Sequence, residues 1–490
     1  MSTSTTPSGG TPRRYAFVGL GHRAEMFLTA LLGPHADVGT PVAFCDTNRT
    51  RMAYHQRLRQ QEAPGAAPLP EYGPEDFGTM LTEQRVDAVV VTVIDRLHAR
   101  FVCEALDHGC DVICEKPLTI DVEGCRQITE AVARSSGRLV VTFNYRYSPR
   151  NSAVRRLLLD GEIGEVTSVH FEWLLDTVHG ADYFRRWHRD KANSGGLLVH
   201  KATHHFDLLN WWLDDLPETV YAQAELRFYG AANAAARGLG PRPRRSSAQA
   251  AAGDPFALDL TASPRLRQLY LEAEQEDGYH RDLDVFSDGI TIEDTMAVLA
   301  RYTRGALLTY SLTAHAPWEG YRVAFNGTAG RLELSVCERA SLAAASAGDV
   351  VGWERPAVDP SATDDRSAAD RPGDVPPADH DEAAPHVPGD TAIRAEGTEL
   401  VLQRHWEPPR RIDVASAGAH GGGDELLLHD VFRGTAADPL GRRAGHLDGI
   451  RSVLVGIAAN RSAETGLPVL LGELGVPVTA PVTAQEEADR

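Results

Sequence analysis

From Arg14 to about Phe143, short apolar runs alternate with longer stretches whose apolar residues recur every three or four positions. "RYAFVGL", "PVAFCD", "DAVVVTV", "DVICEK" and "RLVVTFNY" read as strands, and "HRAEMFLTALL", "NRTRMAYHQRLRQQ" and "HARFVCEALDHG" as helices between them. That alternation predicts βαβ units around a parallel sheet. After about Ser148 the period changes. "NSAVRRLLLDGEIGEVTSVHFEW" reads as helix, glycine turn and strand, while "ETVYAQAELRFYG", "TMAVLARYTRGALLTYSLTAH", "YRVAFNGTAGRLEL" and "TELVLQRHW" alternate at two-residue spacing. A mostly antiparallel sheet in a second domain is expected, so the fold class is α/β plus α+β.

The expected boundaries are a disordered leader over 1–13, a first domain over 14–148, a second over 149–475 and a tail over 476–490. Stretches near 231–263 and 345–396, rich in Ala, Gly, Pro and charged residues, are expected to be mobile loops. The late helical segment through "GIRSVLVGIAANRSAETGLPV" should pack on a sheet.

Lys plus Arg number 49 against 68 Asp plus Glu, a net charge of −19, which opposes a nucleic-acid partner. The start has no apolar h-region and no run of about 18 apolar residues occurs, so neither secretion nor a membrane span is expected and the reading is cytoplasmic. Six cysteines form no C-x-x-C pair and read as reduced thiols, with Cys45, Cys103 and Cys114 in apolar stretches.

Directly after the first strand stands Gly19-x-Gly21-x-x-Ala24, followed by a helix that carries His22 and Arg23 in its first turn. Glycines there allow a tight turn and close approach of a pyrophosphate to the helix N-terminus. The second strand ends in Asp46, where a carboxylate can accept hydrogen bonds from adenosine ribose hydroxyls. NAD is therefore preferred over NADP, a preference that nearby Arg49 would soften. The alternative is a plain glycine turn with Asp46 capping the next helix.

A later strand ends in Glu115-Lys116-Pro117, which leaves Lys116 at the carboxyl edge of the sheet, where ligands bind in open parallel sheets. With Thr92 and His98 of "VVVTVIDRLHARF", "FNYRYSP", the Gly195-Gly196 segment with His204 and Asp207, "FNGTAGRLEL" and "GIAANRSAETGLPV", the chain resembles the Gfo/Idh/MocA oxidoreductase family. The resemblance implies a Rossmann dinucleotide-binding domain followed by an open, mostly antiparallel sheet. One face of that sheet would turn to the cofactor and the other often joins subunits, hence a homo-dimer or homo-tetramer. It also implies a cofactor site at Gly19, Gly21, His22, Arg23, Asp46, Thr92, His98, Glu115 and Lys116. The expected activity is hydride transfer between NAD and a hydroxyl of a sugar, cyclitol or glycoside.

"GGLLVHKATHHFD", residues 195–207, concentrates His200, Lys201, His204, His205 and Asp207. On a helix His200, His204 and Asp207 share one face, and Lys201 and His205 an adjoining one. A metal site is disfavoured by the cation at Lys201, so none is expected. The family's usual Asp is replaced here by His200. His204 is expected as general acid or base, a role that suits imidazole, with Lys116, Lys201 and His200 completing the catalytic set. Asp207 is read as orienting a histidine or as structural. His205, Tyr145, Arg146, Trp187 and His188 are the expected substrate ligands, while Tyr279, His280 and Arg281 of "EDGYHRDLDVF" form either a rim or a plain surface loop. Two other functions stay open: a glycoside-cleaving enzyme that oxidises C3 transiently, and a non-catalytic sensor of sugar and nucleotide.

Overall fold

A computed structural model of the chain describes residues 12–247, 254–342, 394–414, 422–434 and 437–478. The first domain is a six-stranded sheet of β1 (Arg13–Val18), β2 (Gly39–Cys45), β3 (Glu71–Tyr72), β4 (Ala88–Val91), β5 (Asp111–Cys114) and β6 (Leu139–Val141). All its pairings are parallel, and the spatial order is 3-2-1-4-5-6. Helices α1 (His22–Leu32), α2 (Arg49–Glu62), α3 (Phe77–Glu83), α4 (His98–Asp107) and α5 (Val122–Arg134) connect the strands. The central strand β4 is apolar throughout, as burial on both faces requires, and Val89, Val90 and Val91 are fully buried. This is the doubly wound arrangement that carries dinucleotides beyond the carboxyl edge.

Helix α6 (Pro149–Leu159) leads into β7 (Val166–Asp176), the central strand of a nine-stranded sheet. The order is β14-β13-β12-β11-β7-β10-β9-β8-β15, antiparallel at every pairing except β7 with β10. Its strands are β8 (Pro217–Glu225), β9 (Thr295–Tyr302), β10 (Leu307–Ala316), β11 (Glu319–Gly327), β12 (Gly330–Arg339), β13 (Gly397–Arg404), β14 (Arg410–Ile412) and β15 (Val469–Leu470). Alternation sends Val169, Phe171, Trp173, Tyr310, Leu312, Tyr321 and Val323 to a covered face. The other face carries His170, Glu172, Thr309, Arg322 and Glu333. Helix α10 (Thr203–Leu213) and the long helix His446–Thr465 belong to the covered side, anchored by Leu208, Trp212, Val453 and Leu454.

The loop expected near 231–263 has structure in its described parts. Ala231–Ala236 is a helix, Ala257 is buried, and Leu258 and Leu260 are buried in a cluster with Leu266, Leu269 and Tyr270. Most of the other expected loop, residues 343–393, lies outside the described residues, as do residues 1–11 and 479–490.

Candidate active site

The turn after β1 takes the shape its glycines permit. Gly19 has φ +84, and a Cβ on it would stand 2.5 Å from the Val93 backbone nitrogen, so only glycine fits. Gly21 forms the N-cap of α1, His22 N donates to Tyr270 Oη at 3.3 Å, and the helix end opens into a cavity of about 550 Å³. That volume suits a ligand-binding cleft. Gly19, Gly21, His22, Arg23, Asp46, Thr92, His98, Glu115 and Lys116 all line it. A helix N-terminus at an open cavity fits a dinucleotide pyrophosphate, and Asp46 at the end of β2 fits its ribose.

Asp46 accepts from Leu20 N (2.5 Å) and Asn48 N (2.8 Å), and burial pushes its carboxyl upward. The cap of α2 is Asn48, whose side chain accepts from Arg51 N, so Asp46 stays directed at the cavity. Arg51, rather than the Arg49 expected from sequence, lines the cavity beside it, and is held by Asp277 at 2.6 Å and Asp46 at 3.9 Å. Thr92 Oγ1 donates to the Gly19 carbonyl, and the His98 ring bridges the carbonyls of Val93 and Pro117. These two residues therefore brace the loops after β1, β4 and β5 around the cleft.

At the end of β5, Glu115 accepts from Arg23 Nε at 2.7 Å, tying this edge to the first turn of α1. Lys116 Nζ reaches across to donate to the His200 carbonyl at 3.3 Å. Burial, reinforced by the charge of Lys201, lowers the Lys116 ammonium to about 8, and burial lowers Lys201 also to about 8. Among the described residues neither ammonium pairs with a carboxylate within 4 Å. Lys201 Nζ instead donates to Tyr145 Oη at 3.1 Å and lies 5.1 Å above the Trp173 ring.

Gly195 and Gly196, both at positive φ, turn the chain into α9 (Leu197–His200). The expected continuous helix is broken at Lys201 and Ala202, and α10 restarts at Thr203. That break aims His200, Lys201 and His204 together into the cavity. His200 Nδ1 meets Asp95 Oδ2 at 2.5 Å, and the His204 ring stacks on Tyr145 at 4.3 Å. Trp187 and His188 line the same end, stacked at 3.6 Å.

Two expected substrate ligands are not brought to the cavity. His205 is fully buried behind the wall, with Nδ1 on Tyr310 Oη at 2.8 Å and its ring on Trp173 at 3.9 Å. Arg146 is buried in a bidentate pair with Asp207, 2.6 and 2.8 Å, and also bonds Asp448. Asp207 therefore orients an arginine, not a histidine. Both departures have one cause: helical spacing gives faces, but which neighbour meets each face is decided by the sheet and by the helix His446–Thr465.

Several lining residues escaped the sequence reading: Asp95, Tyr183, Arg186, Tyr270 and Asp277. Asp95 had a usable signal, since it follows a strand end by a few residues at the ligand-binding edge. Tyr270 and Asp277 had none, because they come from the second domain and dock on α1 and α2 through long-range bonds. Among these, Tyr270 Oη meets His22 Nδ1 at 3.0 Å and Asn48 Nδ2 donates to Ala273 O at 2.9 Å. Tyr279 also lines the cavity, whereas Arg281 pairs with Asp182 at 2.7 Å. Among the described residues no group of three potential ligands could hold a metal ion, and no helix is long and apolar enough to cross a membrane.

Lys116 at the edge of the parallel sheet thus shares one cavity with His200, Lys201 and His204 of the second sheet domain. Residues 13–143 match the model of the oxidoreductase family's NAD-binding Rossmann fold, and residues 155–350 that of its C-terminal alpha/beta domain. The chain belongs to the Gfo/Idh/MocA oxidoreductase family. It is 33% identical over 476 residues to the protein YteT of Bacillus subtilis (strain 168), covering 94% of this chain and 98% of that protein. An inositol 2-dehydrogenase of Rhizobium meliloti (strain 1021) is 32% identical over 139 residues, 28% of this chain and 40% of that protein. The fold is also that of the aldose-aldose oxidoreductase from Caulobacter crescentus, with a TM-score of 0.56 at 16% identity, covering 94% and 100% of the two chains.

Proposed function

We propose that this oxidoreductase transfers a hydride between NAD and a hydroxyl of a sugar, cyclitol or glycoside. The observation that carries the reading is the convergence of Lys116, Lys201 and His204 on the cavity that the Gly19 turn also lines. When bound, the nicotinamide would exchange the hydride. Lys116 and Lys201, as ammonium ions in a dry wall, stabilise negative charge on the reacting oxygen, and His204 takes or returns its proton. Trp187 and Tyr145 offer ring surface to the apolar face of a sugar. NAD is preferred to NADP because Asp277 occupies Arg51, the cation 3.9 Å from Asp46, the carboxylate expected at the ribose. The chain is read as a cytoplasmic homo-dimer or homo-tetramer, with the polar face of the nine-stranded sheet free for a second copy.

A second reading, cleavage of a glycoside through transient C3 oxidation, is favoured by two imidazoles, His200 and His204, on one cavity. Such a reaction moves two protons, one from the hydroxyl and one from the carbon beside the ketone. The test incubates the protein with NAD and a panel of sugars, inositols and aryl glycosides, following NADH absorbance and aglycone release. NADH formation with a free sugar or inositol, abolished by Lys116→Ala and by His204→Ala, supports the first reading. Aglycone release without net NADH supports the second, and undiminished turnover in either variant removes the assigned roles.

A further inference from the structure

We propose that Asp95 is a positioning residue for proton transfer: it holds His200 through Nδ1 so that Nε2 serves the cavity as a base additional to His204. The inference rests on the oxidoreductase reading above. Asp95 stands in the short turn Asp95–Leu97 after β4, in the first domain, and His200 ends α9 in the second. Their 2.5 Å contact joins positions 105 apart, and both side chains are almost wholly buried. Among the described residues His200 is the sole ion-pair partner of Asp95 within 4 Å. His200 Nε2 bonds to no protein atom among those residues, while the residue lines the cavity.

Rings wall the imidazole on its other sides: Tyr183 at 5.5 Å, Trp187 at 5.9 Å and His188 at 4.2 Å. Such packing leaves the ring little freedom to rotate, so the nitrogen facing the carboxylate and the nitrogen facing the cavity are distinct. A carboxylate accepting from Nδ1–H fixes the tautomer in which Nε2 carries a lone pair.

The charges around the pair keep the imidazole neutral. Burial holds the Asp95 carboxyl well above its ordinary value, against the opposing charges of Lys116 and Arg186. Burial, Lys116, Arg186, Lys201 and His98 all hold His200 neutral, well below its ordinary value. Glu115 faces Asp95 as a like charge, and His188, itself neutralised by burial and by His200, completes the set. With Asp95 in its anionic form, which Lys116 and Arg186 favour, a neutral imidazole on it is a base at neutral pH. In the step it serves, a substrate O–H that faces His200 rather than His204 breaks, its proton forms a bond to Nε2, and the imidazolium is stabilised by Asp95. The electrons of the adjacent C–H bond leave as the hydride accepted by NAD in the proposed reaction. The arrangement also accounts for the departure at position 200: the carboxylate absent from the second domain is supplied by the first.

The test has two independent arms. Imidazole nitrogen NMR on the NAD-bound protein, with the His200 signals identified by their loss in His200→Gln, should show Nδ1 protonated and Nε2 unprotonated at neutral pH. An Nε2–H tautomer overturns the proposal, and this arm stands even if no panel compound is turned over. With the substrate the panel reveals, Asp95→Asn should lower kcat about 10²–10⁴-fold, the range of a lost general base. KM and NAD affinity should change less than about threefold, and in a His200→Ala background Asp95→Asn should add less than about threefold further loss. Wild-type kcat in Asp95→Asn, equal losses in both backgrounds, or a loss tracking NAD affinity would each show a merely structural pair.

Discussion

The Lys116 ammonium donates to the backbone carbonyl of His200 at 3.3 Å, so the carboxyl edge of the parallel sheet is tied to the His200–Lys201 turn of the second domain. The long helix His446–Thr465 holds both sides. Its Gly449 lies against Leu118, just past Lys116, and its Gly456 against the Leu198 carbonyl inside α9. Asn460 of the same helix donates to Gly195 O at 2.7 Å.

A methyl group at Gly456 would stand 2.3 Å from Leu198 O. Gly456→Ala is expected to cost about 1–3 kcal/mol, as overpacking does. It should also displace α9, lowering kcat while NAD affinity stays near wild type. Urea unfolding and NAD titration check this; unchanged stability and turnover would refute the packing role.

Lys201 has a folded-state pKa of about 8 against an ordinary 10.5, because burial opposes its charge. Between these values the unfolded chain binds more protons, so stability rises with pH across roughly 8 to 10.5, and below that window the fold bears the full cost of the buried cation. Lys201→Met should therefore be more stable at pH 7 by up to about 3 kcal/mol, at about 1.4 kcal/mol per unit, yet inactive. The gain should shrink by pH 10. A gain of equal size at both pH values would contradict the linkage.

Arg51 lies 3.9 Å from Asp46, the carboxylate expected at the ribose, and Asp277 holds it at 2.6 Å. Asp277→Ala is expected to free it for a 2′-phosphate, tightening NADP about tenfold, or about 1.4 kcal/mol, with NAD altered less than threefold. Calorimetric titration of both dinucleotides decides it, and an unchanged ratio would place the selectivity elsewhere.

Burial pushes the Asp207 carboxyl up to about 7, while the bidentate Arg146 guanidinium pulls it down. The geometry favours the charged pair. Asp207→Ala leaves Arg146 with Asp448 alone and should cost about 3–5 kcal/mol, as for a broken buried pair. Thermal unfolding should register that loss, and a Tm within a degree of wild type would mean that the pair is neutral to stability.

Local pattern was enough to determine the strand–helix alternation, the Gly19 turn, Lys116 at its sheet edge and the cavity roles open to His200, Lys201 and His204. Each depends on short-range spacing, and strand ends and glycine turns are written in adjacent residues. Tertiary structure alone decided that His205 faces Tyr310, that Arg146 neutralises Asp207, that Tyr270 and Asp277 reach α1 and α2, and that Asp95 meets His200. Those pairings join positions up to 248 apart. Helical periodicity names the face a side chain occupies, but the charge or ring that meets it arrives from an element whose position depends on the packing of both domains.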